Sequence, residues 1–308
     1  MKKGFFFDSS PITMIIMLCF VMVSSVTISM ALGMLIASFV LGVPINDLAN
    51  IVYNDDSMQH LNLVRYLQIL TNISFFTIPA LIAAYLFSGN AVKYLGLRQG
   101  AKLKWFIATL LVMLTAIPAI NLLLMLNEMI VFPESLAGLE SWLMKYEDNA
   151  QQTTKLFLNV DTLGGLFFNI FMMAILPAIG EELIFRGLLH KIFVKWTGNV
   201  HVAIIITGLL FSMMHLQFYG LFPRWILGIL FSYMMVWSGT IWVPILAHFV
   251  QNTLAIVVHY LIYKKMISDE VETIGASSSD IPLIIFATSL CAVTLWFMCK
   301  KWRMLKTN

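Results

Sequence analysis

Glu181 and Glu182 stand side by side inside an apolar stretch, Pro177-Ala178-Ile179-Gly180-Glu181-Glu182-Leu183-Ile184-Phe185-Arg186. A carboxylate in a membrane segment costs roughly 2.5–3.5 kcal/mol on insertion scales, so two of them with an arginine one turn on read as part of a site. On a helix Glu182 and Arg186 are i,i+4 neighbours and can pair. Glu181 points about 100° away and is left to face a cavity. Pro177 removes a backbone donor and frees the carbonyl of Met173, which opens polar backbone beside the carboxylates. A buried ion pair locking two helices together would account for Glu182 and Arg186, but not for Glu181.

Two other places put ionisable or amide groups inside apolar runs: Phe211-Ser212-Met213-Met214-His215 and His248-Phe249-Val250-Gln251-Asn252. His248 and Asn252 are again i,i+4 and project from one helix face. Either segment alone reads equally well as polar glue between helices. Together the three places supply a carboxylate, two imidazoles and an amide, the inventory for activating a water and holding an oxyanion. His60, His190, His201 and His259 lie in loops or toward span ends and read as non-catalytic.

The elements that must position these groups follow from composition. The chain has 308 residues, of which 60% are hydrophobic and 11% charged, against about 25% charged in soluble domains. Such a chain is expected to be an all-α polytopic membrane protein. Runs long enough to span, at ~20 residues each, fall at about 12–42, 63–88, 103–126, 161–190, 201–218, 222–238, 241–263 and 281–300. That makes about eight transmembrane helices. The expected division is 1–160 for N-terminal helices and a polar outer loop, 161–263 for a catalytic core, and 264–308 for a C-terminal loop and last helix. Cys19, Cys291 and Cys299 lack metal or disulfide spacing and read as core residues. The net charge of +3 suggests no nucleic-acid partner.

Lys/Arg placement sets orientation. One set of segments carries Lys2, Lys3, Lys93, Arg98, Lys102, Lys104, Lys191, Lys195, Lys300, Lys301, Arg303 and Lys306, with Asp8 as its one acid. The alternate segments carry Asp47, Asp55, Asp56, the cluster Glu128, Glu134, Glu140, Glu147 and Asp148, and Asp269, Glu270, Glu272 and Asp280. Both termini are therefore expected in the cytoplasm. Counting residues from the span edges puts Glu181 and His248 in the cytoplasmic half. The site is accordingly expected to open toward the cytoplasm or laterally to lipid.

Glu-Glu-x-x-x-Arg, then Phe-x-x-x-His, then His-x-x-x-Asn on successive membrane helices resembles the CPBP family: type II CAAX prenyl endopeptidases and their bacterial relatives, which include bacteriocin-processing and immunity proteins. The likeness covers about 161–255, and all signature positions are present. It implies an intramembrane endopeptidase in a multi-pass membrane, with the bacterial inner membrane favoured. Its substrate would be a membrane-associated protein or lipidated peptide at the bilayer, as in CAAX-box protein maturation. Carried over by residue, Glu181 is the general base, His215 works with it on the attacking water, and His248 and Asn252 resemble the oxyanion-holding pair. Glu182 and Arg186 take supporting positions.

No His-Glu-x-x-His is present, so the zincin pattern is absent. A Zn²⁺ held by Glu181, His215 and His248, as in a metalloprotease, stays as the alternative. A glutamate mechanism with no required cofactor is favoured, because His248 has a defined role beside Asn252. Two other functions remain open. One is a non-catalytic scaffold or immunity protein of the same family. The other is an ion- or proton-coupled transporter, although neither paired half-helices nor an inverted repeat is visible.

Overall fold

Local signals start and stop the helices where the apolar runs do. Helix α1 (Pro11–Leu41) begins at Ser10, whose hydroxyl accepts from the Thr13 amide, with Pro11 in its first turn. It ends at Gly42, whose φ of 66° closes the helix at no Cβ cost. The others are α2 (Leu61–Ser88), α3 (Leu103–Glu128), α4 (Ala137–Leu158), α5 (Leu163–Thr197), α6 (Val200–Met213), α7 (Leu221–Ser238), α8 (Trp242–Tyr263) and α9 (Ile281–Lys306). This computed structural model describes residues 4–45, 48, 61–130 and 132–306. Lys2, Lys3, Asp47, Asp55, Asp56 and His60 lie outside the described residues.

The protein is an all-α polytopic membrane protein. Among the described residues seven helices are long and apolar enough to cross a membrane. The fifth of the eight expected spans, placed at 201–218, is instead the 14-residue α6. The reason is local. After Met213 the chain leaves the helix, and Leu216 takes a φ of 52°, a left-handed conformation that no helix can propagate. The hairpin of α6 and α7 is nevertheless tight. A Cβ on Gly228 would stand 2.8 Å from the Cα of Gly208, so the two glycines let the backbones meet as small residues do in membrane bundles.

The bundle has two chemically different ends. At one, the Lys195 ammonium donates to the Ser9 carbonyl, Phe6 N–H to Leu86 O, and Lys191 to Tyr94 O. Thr240 reaches Gln99 O and Trp242 Nε1 reaches Leu97 O. This is the lysine-rich end. At the other, Asn121 Nδ2 donates to Glu272 O and Ile274 O, and Lys264 lies 3.9 Å from Asp161. Tyr219 N–H donates to Glu147, and Tyr219 Oη lies 3.4 Å from Glu140 Oε1. This end collects every described acid outside the spans except Asp8. Helix α4 lies here, largely exposed, with Glu147 and Phe157 turned inward.

Apolar side chains such as Phe39, Phe167 and Phe286 face outward, as lipid-contacting residues must. Cys291 alone fits the reading of the cysteines as core. Cys19 is exposed on α1 and Cys299 is half-buried on α9.

Candidate active site

Helix α5 carries the two glutamates on an irregular backbone. A seven-residue α-helical stretch, Leu176–Glu182, is flanked by wide π turns at Phe171–Ile175 and Leu183–Leu189. Such turns gather at functional sites because they redirect side chains and release backbone groups. Pro177 has the expected effect on the Met173 carbonyl, and the group that takes it up is Asn252 on α8, whose Nδ2 donates to it at 3.2 Å. Gly180, next to Glu181, keeps α2 close. A Cβ there would stand 2.8 Å from Phe76 Cβ and 3.0 Å from Thr77 Oγ1.

Glu182 and Arg186 are both fully buried and pair at 2.8 Å, as their spacing predicts. The guanidinium also donates from Nη2 to Gly228 O at 2.7 Å and from Nε to Ser232 Oγ at 3.2 Å. It lies 4.8 Å from the Phe211 ring centroid and 5.4 Å from that of Phe231. Thus a charge pair formed within one helix ties α5 to α7. Glu182 does more than the sequence suggests. Its Oε1 also accepts from His248 Nδ1 at 3.0 Å, which fixes the ring orientation and puts a proton on Nδ1.

His248 is thereby bracketed by both carboxylates. Its Nε2 faces Glu181 Oε2 at 4.0 Å. Glu181 is 8% exposed, and Oε2 is buried with no hydrogen-bonding partner. Two atoms at that separation can both hydrogen bond one water lying off the line between them. The imidazole stacks on Phe231, with centroids 5.6 Å apart and planes at 28°, and meets the Phe211 ring edge-on. These rings hold it against the cavity wall.

His215 lies just past the end of α6, in the turn that Leu216 closes. Its Nδ1 is 2.9 Å from Phe211 O. A carbonyl only accepts, so Nδ1 donates and Nε2 keeps its lone pair. His215, His248 and Asn252 all line one cavity of about 420 Å³, together with Phe211, Phe231 and Arg224. Glu182 and Arg186 do not line it and stand behind His248 and the aromatic rings. Glu181 does not line it either, which corrects the expectation that it faces a cavity; it stands next to the lining residue His248, 4.0 Å from Nε2. The cavity also reaches Asn121, Leu124, Gly220 and Gln251, which places it toward the acidic end. The expectation of an opening toward the cytoplasm or laterally to lipid rests on residue counting, which puts His248 away from this end. The counting starts from spans at 161–190 and 201–218, whereas α5 runs on to Thr197 and α6 stops at Met213.

Arg224 escaped the sequence reading. It lies in the first turn of α7, where Nη2 donates to Gln217 Oε1 at 2.6 Å and Nη1 to Gln217 O. Gly220 makes room for it, since a Cβ there would stand 2.5 Å from its Nη1. The rule that singled out the glutamates, a charge inside an apolar run, applies equally to this arginine.

Among the described residues no three His, Cys, Asp or Glu side chains form a group that could hold a metal ion. His248 spends Nδ1 on Glu182, and His215 does not join Glu181 and His248 as a third ligand. The set Glu181, His215 and His248 does not fit Zn²⁺ in this geometry. The remaining histidines stand apart. His201 meets Tyr233, His259 meets Asn159, and His190 is buried on α5.

Residues 163–254 match the family described as "Type II CAAX prenyl endopeptidase Rce1-like", and the resemblance carried by the three motifs is shown over that segment. A stretch of 87 residues is 34% identical to the sporulation-killing factor biosynthesis protein SkfC of Bacillus subtilis (strain 168). It covers 26% of this chain and 17% of that protein, so the chain spans under a fifth of the relative's length. No solved structure matches the chain.

Proposed function

Starting from residues 163–254 as a type II CAAX prenyl endopeptidase-like segment, we propose that the protein is an intramembrane endopeptidase of glutamate type. Its substrate is a peptide bond of a membrane-associated protein or of a lipidated, CAAX-like peptide. The observation that carries this reading is one imidazole, His248, held between two buried glutamates at the wall of a cavity that His215 and Asn252 also line.

In this reading Glu181 takes a proton from the attacking water, and the lone pair on His215 Nε2 orients that water. Glu182 plays the part that the orienting carboxylate plays in other hydrolases: it holds His248 by Nδ1, so that Nε2 is the atom presented to the reaction. The proton that Glu181 takes passes to His248 Nε2, which it faces at 4.0 Å; that N–H and the second N–H of Asn252 donate to the developing oxyanion, and the amine leaves as it takes the proton from Nε2. One such donor is worth about 3–4 kcal/mol in well-studied hydrolases. Arg186 holds Glu182 in place through their 2.8 Å pair. The bacterial inner membrane is the proposed location, with both termini on the cytoplasmic side.

The test is cleavage of a quenched-fluorescent CAAX-type peptide, lipidated and unlipidated, by purified protein in detergent. Glu181→Ala is expected to remove cleavage, and 1,10-phenanthroline and EDTA to leave the wild type active. Cleavage by Glu181→Ala would remove this residue from the mechanism. Loss on chelation with recovery on adding Zn²⁺ would replace the glutamate mechanism with a metal one.

A further inference from the structure

We propose that the groove between α3 and α9 is a binding site for an anionic phospholipid, with an acyl chain laid along the groove and the headgroup phosphate between Lys104 and Lys300. The site stands apart from the proposed active site. Neither helix belongs to residues 163–254, the segment that matches the family.

The shape of the groove follows from the residues that line it. On α3 these include Lys104, Ile107, Ala108 and Leu111, and on α9 Leu290, Val293, Thr294 and Phe297. Both sets follow the i, i+3, i+4, i+7 spacing that gathers side chains on one helix face. The two stripes face each other without meeting, and a space of about 740 Å³ is left between them, within the range of roughly 300–1,000 Å³ usual for ligand sites. Ala108 is small where its neighbours along the stripe are large, which deepens the hollow. Trp105 and Met298 also line the groove and are buried in the core, so the hollow has a floor.

The walls are made for a hydrocarbon. Apart from the two lysines, the polar side chain among the lining residues is Thr294, and its hydroxyl is spent on Leu290 O at 2.8 Å. A polar ligand would lose its hydration here and find no partner along the walls, a cost that an alkyl chain does not meet. From Leu290 to Lys300 the groove runs about 15 Å, at ~1.5 Å per residue. That is half of a hydrocarbon layer of about 30 Å, the depth that the chains of one leaflet fill.

Charge sits at one end of the groove. Lys104 is in the first turn of α3 and Lys300 lies near the end of α9, and both side chains are exposed at the groove. Lys300 Nζ lies 5.0 Å from the Trp296 ring centroid, and tryptophan is enriched at the level of the headgroups. Among the described residues neither lysine pairs with a carboxylate, and no acid lines the groove. Two uncompensated positive charges at the mouth of an apolar slot complement a ligand with a negative head and an apolar tail. Basic pockets between transmembrane helices hold anionic headgroups in this way. A zwitterionic headgroup brings its own ammonium with the phosphate, so it gains less from the pair.

The test uses the full-length protein, purified in detergent and stripped of lipid. It is titrated with dioleoyl phosphatidylglycerol or dioleoyl phosphatidylcholine, and bound lipid is read by native mass spectrometry. Phosphatidylglycerol is expected to bind about tenfold or more tightly than phosphatidylcholine, as two lysines beside an anionic headgroup allow. Lys104→Gln with Lys300→Gln should remove that preference. Arg98→Gln with Lys102→Gln removes the same charge from exposed positions at the same end but outside the groove, and should keep it. Ala108→Trp fills the hollow and should weaken both lipids. Equal affinity for the two lipids would overturn the proposal, as would a Lys104/Lys300 variant that loses no more preference than the control. Both lysines are exposed, so that comparison decides the matter even where Ala108→Trp fails to fold. Binding needs no turnover, so this site and the assignment of Glu181 succeed or fail separately.

Discussion

At the residue scale, the two adjacent glutamates have separable jobs. Glu182 is fully buried and holds both Arg186 and His248. Removing one partner of a buried ion pair costs about 3–5 kcal/mol, because the other charge is stranded. Glu182→Ala is therefore expected to lower the unfolding midpoint in detergent markedly and to lose activity with it. Glu181 has no ion pair as close as that, and Glu181→Gln should keep the wild-type midpoint while losing cleavage. Normal stability in Glu182→Ala would reverse the two roles. Asn252→Ala should lower both stability and turnover, because its amide caps the Met173 carbonyl; a variant that loses turnover alone would show that the cap is dispensable.

At the element scale, what the sequence revealed depended on distance along the chain. The pairing of Glu182 with Arg186 and the freeing of the Met173 carbonyl are visible in a few residues of one helix, and both are found in place. The bond from His248 to Glu182 joins positions 66 residues apart, and no local spacing encodes it. The end of α6 was also illegible, since an apolar run continues past Met213 while the backbone does not. That turn holds Leu216 at a φ of 52°, where an L-residue costs roughly 1–2 kcal/mol that glycine avoids. Leu216→Gly is expected to raise the unfolding midpoint and, by loosening the turn that aims His215, to slow cleavage. The glycine contact between α6 and α7 admits no such relief. Gly228→Val would drive a side chain into Gly208 and displace the carbonyl that Arg186 uses, so folded protein should fall to a small fraction of the wild-type yield.

At the scale of the whole molecule, Lys/Arg placement made the two ends legible, but the depth of the site was not, because it depends on helix lengths that hydropathy does not resolve. The short α6 has one more effect. Fourteen residues rise only about 21 Å at ~1.5 Å each, against a hydrocarbon layer of about 30 Å. A bilayer meets such a mismatch by thinning locally, at fractions of a kcal/mol per Å. Next to α6 the headgroups should dip toward His215, and hydration should follow them. The lipid is then part of the entrance. Turnover in proteoliposomes should rise as acyl chains shorten from eighteen to about fourteen carbons, and a rate indifferent to chain length would show that the protein alone sets the depth of its doorway.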